Sequence, residues 1–174
     1  MEKIIIEKIV RVTKNRKKLE EKLGVRIENR GKEVFVSGGA EDEYIAVKVI
    51  EALEFGFPFS TAILLTSEDF MFEILNIKDH TTRKDLTRVR ARIIGKEGKT
   101  LKTLSNLTKC FFELKDNRVG IIGDPEYMKN AEESVVLLIK GSKHSNVYSH
   151  LEKNQVQPVL DLGLREEKSR KNNF

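Results

Sequence analysis

The sequence predicts an α+β fold made of two tandem copies of one unit, the first of them truncated and degenerate. Three features predict it. Sliding the chain on itself by 85 positions aligns two segments without a gap. Each segment carries two short β-prone runs joined by turn residues, and each pair of runs leads through a glycine break into a helix with apolar residues three or four apart. In this register Lys14 falls on Lys99, Leu19 on Leu104, Ile27 on Phe112, Val34 on Val119, Gly38 on Gly123 and Ala46 on Ala131.

Taken in order, charge-rich helical stretches at Lys14 to Leu23 and Lys99 to Thr108 precede the β runs Val25 to Asn29 and Cys110 to Leu114. Asn29-Arg30-Gly31-Lys32 and Lys115-Asp116-Asn117-Arg118 are turn residues, so Glu33 to Val36 and Arg118 to Ile122 return as the second strands of hairpins. Ser37-Gly38-Gly39-Ala40-Glu41-Asp42 and Gly123-Asp124-Pro125-Glu126 start the long helices, whose core faces are Ile45, Val49, Ile50, Leu53 and Met128, Ala131, Val135, Leu138. Phe55-Gly56-Phe57-Pro58 ends the first of these, and Phe59 to Leu65 bridges as a short apolar helix. Ahead of the second copy stand a strand, Phe70 to Ile77, and a segment helical in its second half, Asp79 to Ile94; the first copy has only Met1 to Val12 for both. The expected boundaries are 1–66, 67–154 and a charged C-terminal tail at 155–174, without clear periodicity.

With 174 residues, 39% hydrophobic and 34% charged, the chain is long enough for one medium domain or two small ones. No apolar run reaches the roughly 20 residues of a membrane span, and the charged N-terminus does not read as a signal peptide, which predicts a cytoplasmic protein without membrane contact. One cysteine, Cys110, excludes an intrachain disulfide framework, and His80, His144 and His150 lack the cysteine pattern of a structural zinc site, so neither metal nor cofactor is expected. The net charge of +5 is unevenly spread. Arg83 to Lys109 holds nine basic residues against Asp85 and Glu97, whereas Glu41 to Glu73 is acidic, with Lys48 as its one cation. Two surfaces follow, one suited to polyanions and one a candidate protein-docking face.

Ile93-Ile94-Gly95-Lys96-Glu97-Gly98-Lys99-Thr100 joins two basic helices. Two glycines so spaced permit a tight turn and close approach of another backbone. A phosphate there meets the positive end of the following helix together with Lys96 or Lys99. A nucleotide-triphosphate loop is excluded by Ile93, which stands where that motif requires its first glycine.

This basic helix, Gly-x-x-Gly loop and helix, followed by a hairpin and helix, resembles the KH domain, whose loop clamps about four nucleotides of single-stranded nucleic acid. The longer pattern resembles one family: Arg92 to Thr100, then Ile121-Ile122-Gly123-Asp124-Pro125-Glu126, then Gly141-Ser142-Lys143-His144-Ser145-Asn146-Val147-Tyr148. This is the two-KH small-subunit assembly factor of archaea and eukaryotes, the Dim-type partner of the Nob endonuclease. The resemblance implies two KH-type units, each a three-stranded antiparallel sheet packed with helices. It also implies a non-enzymatic RNA-binding protein on the 3′ region of small-subunit ribosomal RNA, with the Nob-type endonuclease and the alpha subunit of initiation factor two as partners. The alternative is a KH protein acting on messenger RNA or another processing substrate.

The implied RNA-binding set is Arg92, Ile94, Gly95, Lys96, Glu97, Gly98, Lys99, Thr100, Lys102, Lys143, His144 and Tyr148. Lysines neutralise phosphate and make binding salt-dependent. Ile93, Ile94 and Leu101 read equally as groove wall or as core, and His144 and Tyr148 as RNA contacts or as packing. In the first unit Val10-Arg11-Val12-Thr13 stands opposite the glycine loop, so no clamp is expected there; Arg11, Lys14, Arg16, Lys17 and Lys18 read better as a solvated face. For catalysis the sequence offers nothing that converges. Glu41-Asp42-Glu43 sits at a helix start where negative charge is favourable, and Cys110 begins a β run as a buried small residue.

Overall fold

The structure, a computed structural model, describes residues 1–155; the predicted tail lies outside them except for Gln155. Strand β1 (Glu2–Ile5) leads into α1 (Val10–Leu23), the hairpin β2 (Arg26–Arg30) and β3 (Glu33–Ser37), and then α2 (Ala40–Phe55). A short helix, α3 (Phe59–Ala62), continues as a 3₁₀ turn to Thr66. The second unit runs β4 (Met71–Asn76), α4 (Thr87–Ile94), α5 (Lys99–Thr108), β5 (Phe111–Lys115), β6 (Arg118–Gly123), α6 (Pro125–Ile139) and α7 (His144–Lys153). Both sheets are three-stranded and antiparallel, in the orders β1-β3-β2 and β4-β6-β5.

Local chemistry sets these boundaries. Helix α1 stops at Gly24, whose φ of 65° is costly for any residue with a Cβ and whose N–H donates to Glu20 O. The Glu20 carboxylate accepts from Ile27 N at 2.8 Å, which ties helix to strand and holds its pKa below the usual range. Helix α6 starts on Asp124, which accepts from Glu126 N, with Pro125 in the first turn. Glu43 is turned inward to accept from Gly38 N at 2.9 Å and to meet the Met1 ammonium at 2.9 Å. The expected acidic face therefore keeps Glu41 and Asp42 outward at one end of α2, while Glu54 at the other end pairs with Lys115.

Strand register locates the missing piece of the first unit. Ile5 pairs with Glu33 as Asn76 pairs with Arg118, an offset of 71 in the strands against 85 in the rest of the repeat. The shortfall of 14 residues lies between β1 and α1, where the second unit places the segment 77–94 with α4. The strand survives, and α1 runs as continuous helix through the positions opposite Gly95 to Gly98.

Each unit has its own core. Val12, Leu19, Ile27, Val34, Val36, Val49 and Ile50 fill the first; Val89, Ile93, Leu104, Ile121, Val135 and Leu138 fill the second. The units meet on the far face of the second sheet. Residues of β6 alternate, so Val119 and Ile121 join the second core while Gly120 and Ile122 face the first unit. Phe55, Phe57 and Phe72 pack there with ring centroids 5.6–6.0 Å apart. Lys115 Nζ meets Glu54 Oε1 at 2.6 Å across the junction, and the Arg118 guanidinium lies over the Phe55 ring.

Candidate nucleic-acid interface

The two glycines of the loop have different tasks. Gly95 ends α4, donating to Ala91 O at 2.8 Å, with φ 75° and ψ 175°. A Cβ there would overlap Thr100 Oγ1 and stand 2.8 Å from the Thr100 nitrogen, so this position is closed to every other residue. Gly98 has φ 75° and ψ 11°, and a Cβ on it would meet nothing within 4 Å. Its outer side is open space against which another backbone can lie. Between them Glu97 also adopts a left-handed conformation, with φ 56°.

Lys96, Glu97, Lys99 and Lys102 are exposed around this opening, and among the described residues the three lysines form no ion pair. At the start of α5 the Gly98 and Lys99 N–H groups donate back to Gly95 O and Lys96 O, so what the helix adds is the positive end of its dipole, where the lysines concentrate charge. Ile94, beside the loop, is 37% exposed, while Ile93 is fully buried and Leu101 packs on the second core. Ile94 therefore offers a wall and Ile93 does not. Thr100 is buried beneath Gly95, which makes it a support of the loop and not a contact surface.

Arg92 and His144, also in the expected set, form a clasp behind the loop. Arg92 donates through Nη2 to Ser142 O and through Nε to Leu138 O at 3.5 Å, and His144 Nε2 donates to Arg92 O at 2.8 Å. Tyr148 packs on the second core 6.3 Å from the His144 ring. Through these two carbonyls at the end of α6, Arg92 braces α4 against the α6–α7 corner. Arg90 is also engaged, with Asn117 Oδ1 at 2.6 Å, whereas Arg88 and Lys143 are exposed. Phe111, an aromatic residue opening a strand beside a basic helix, is 41% exposed on β5.

Cys110 is buried against Gly123, and burial pushes its thiol up to about 11, which removes it as a nucleophile. A groove of about 540 Å³ opens between β4 and α6, with Ile74, Leu75, Val136 and Leu137 among its walls. There the Glu132 carboxyl lies against Glu73; hydrogen bonding between the two, burial and repulsion raise it from 4.5 to about 7. A carboxyl raised on folding contributes least cost below pH 4.5 and destabilises increasingly as pH rises through about 7. Glu132→Gln is therefore expected to raise the melting temperature at pH 8 by about 3 °C, on the order of 1 kcal/mol after allowance for solvent screening. At pH 4 the difference should vanish; equal shifts in thermal melts at both pH values would refute the assignment.

A βααββα unit with an antiparallel sheet and a Gly-x-x-Gly loop between its first two helices is a type I KH domain, here preceded by a KH-like unit that lacks the loop. Residues 71–156 match the family model described as eukaryotic-type KH domain, type I. A KH domain-containing protein of Methanocaldococcus jannaschii is 28% identical over 80% of this chain and 65% of its own length. The pre-rRNA-processing protein Pno1 of Kluyveromyces lactis is 38% identical over 59% of this chain and 38% of its own. Among solved structures, Dim2p of Pyrococcus horikoshii superposes with a TM-score of 0.78 at 27% identity, covering 87% of this chain and 98% of that one. The complex of Dim2p with a/eIF2alpha and rRNA matches with the same score at 26% identity, over 87% of this chain and 92% of that one. The chain shares its fold with Dim2p and is similar in sequence to the Pno1 proteins, and it spans less than two thirds of the curated relatives it matches. No helix among the described residues is long and apolar enough to cross a membrane.

Proposed function

We propose that this protein is a non-enzymatic, RNA-binding ribosome assembly factor whose second unit, 67–154, grips single-stranded RNA from the 3′ region of small-subunit rRNA. The observation that carries the reading is the loop itself: among the described residues Gly98 faces open space amid three lysines that form no ion pair, on a type I KH scaffold. The sugar–phosphate backbone passes over Gly98, Lys96 and Lys99 neutralise its charge, and a base rests toward Ile94. The name of the yeast relative and the rRNA bound in the Dim2p complex support the choice of RNA. That complex also supports an initiation factor two alpha subunit as a partner. A Nob-type endonuclease as a second partner rests on the sequence resemblance.

The test is fluorescence anisotropy at fixed salt with a labelled oligonucleotide from the 3′ end of small-subunit rRNA and a shuffled control. The Lys96→Asp, Glu97→Asp double variant should bind at least tenfold more weakly, because one cation becomes an anion at the phosphate contact. Preference for the rRNA sequence supports the ribosomal target. Equal binding of the shuffled control moves the target to other RNA. Unchanged binding by the folded variant refutes the clamp.

A further inference from the structure

The first unit lacks the glycine loop, yet the helix that replaces it carries Arg11, Lys14 and Lys18, spaced three and four apart and so on one stripe of α1. All three are exposed, and among the described residues none is in an ion pair, in contrast to Arg16, which meets Glu20 at 3.3 Å. The stripe borders a hollow of about 400 Å³ lined by Arg11, Lys14, Asn15, Pro58 and Phe59 together with deeper apolar residues. Lys18 Nζ stands 6.0 Å from the centre of the Phe59 ring, and Pro58 is exposed beside it. Unpaired cations over a shallow aromatic hollow are what single-stranded nucleic acid uses: phosphates on the charges, a base on the ring.

Position adds to chemistry. The Cβ direction of Gly56 points between Arg11 Nη1 at 3.8 Å and Glu113 Oε2 at 3.9 Å. Arg11 therefore sits next to β5, and Glu113 shares its strand face with Phe111. Burial raises the Glu113 carboxyl and Arg11 opposes that rise, so the two groups sense each other across the junction.

We infer that Arg11, Lys14, Lys18 and Phe59 form a second contact site for the same RNA strand, met after it leaves the glycine loop and crosses β5. The inference rests on the proposed RNA-binding role and extends the gripped length beyond the four or so nucleotides that one KH unit holds.

The test compares a four-nucleotide and a ten-nucleotide RNA from the same rRNA region. Wild type should bind the longer RNA at least tenfold more tightly, with a log–log salt slope steeper by about 2, the value for three added contacts on a single strand. Arg11→Gln, Lys14→Gln, Lys18→Gln, which keeps good helix formers, should abolish that gain and leave four-nucleotide binding unchanged. A triple variant that keeps the gain, or a wild type without one, overturns the second site while the clamp stands. Loss of four-nucleotide binding by wild type itself would instead refute the proposed function, and this inference with it.

Discussion

Gly95→Ala is expected to lower the melting temperature by about 10 °C, whereas Gly98→Ala, three residues on, should cost only about 3 °C. The backbone at Gly95 lies in a region open essentially to glycine alone, worth about 1–3 kcal/mol, and the added methyl overlaps Thr100 for about as much again. Trimming the neighbour in Gly95→Ala, Thr100→Gly should recover less than half of the loss, because the Thr100 nitrogen still stands 2.8 Å away. At Gly98 the conformation is ordinary left-handed helix and the space is empty, so the cost is about 1–2 kcal/mol of conformation only. On the proposed binding mode the order reverses for binding in proportion to folded protein: the Gly98 methyl would occupy the face proposed for the phosphate backbone, and anisotropy at 20 °C should show at least a tenfold loss. Equal melting temperatures for the two variants would mean that the division of labour between the glycines is wrong.

That division was only half legible in the sequence. The repeat, both hairpins and the loop could be read because they depend on local chemistry: turn residues at Gly31 and Asp116, a proline helix start at Pro125, apolar spacing along α2 and α6. Which loop residue is support and which is surface depends on what lies behind it, and Thr100 lies behind Gly95 only because α5 turns back at Gly98. The clasp was hidden for the same reason. Arg92 and His144 are 52 positions apart, and each is an unremarkable polar residue until the α6–α7 corner brings their partners together. The truncation of the first unit was visible as missing length, but strand register was needed to show that β1 is present and that the loss is internal. Strand β6 reads as a continuous apolar run, Val119 to Ile122, a pattern consistent with burial on both faces; what covers the second face is set by Phe55 and Phe57, more than 60 positions earlier.

Phe57→Ala should have the largest effect on stability, about 3–5 kcal/mol, because that ring is buried, contacts two other phenylalanines and closes the space above Gly120. Gly120→Ala attacks the same junction from the other side: its Cβ would lie 2.6 Å from Phe55 Cε1 and 2.9 Å from Phe57, an overpacking worth about 1–3 kcal/mol. Phe55 and Phe57 belong to the first unit's core while the second core contains neither, so the loss falls on the first unit and on its coupling to the second. Calorimetry should accordingly show one transition for wild type and two for Phe57→Ala, the lower about 10 °C or more below the wild-type midpoint. The junction also sets where Arg11 stands relative to Glu113 and β5. Phe57→Ala should therefore bind a four-nucleotide RNA as wild type does at 20 °C while losing much of the gain on ten nucleotides. A single shifted transition with that gain intact would show that the two units hold their relation through something other than the three phenylalanines.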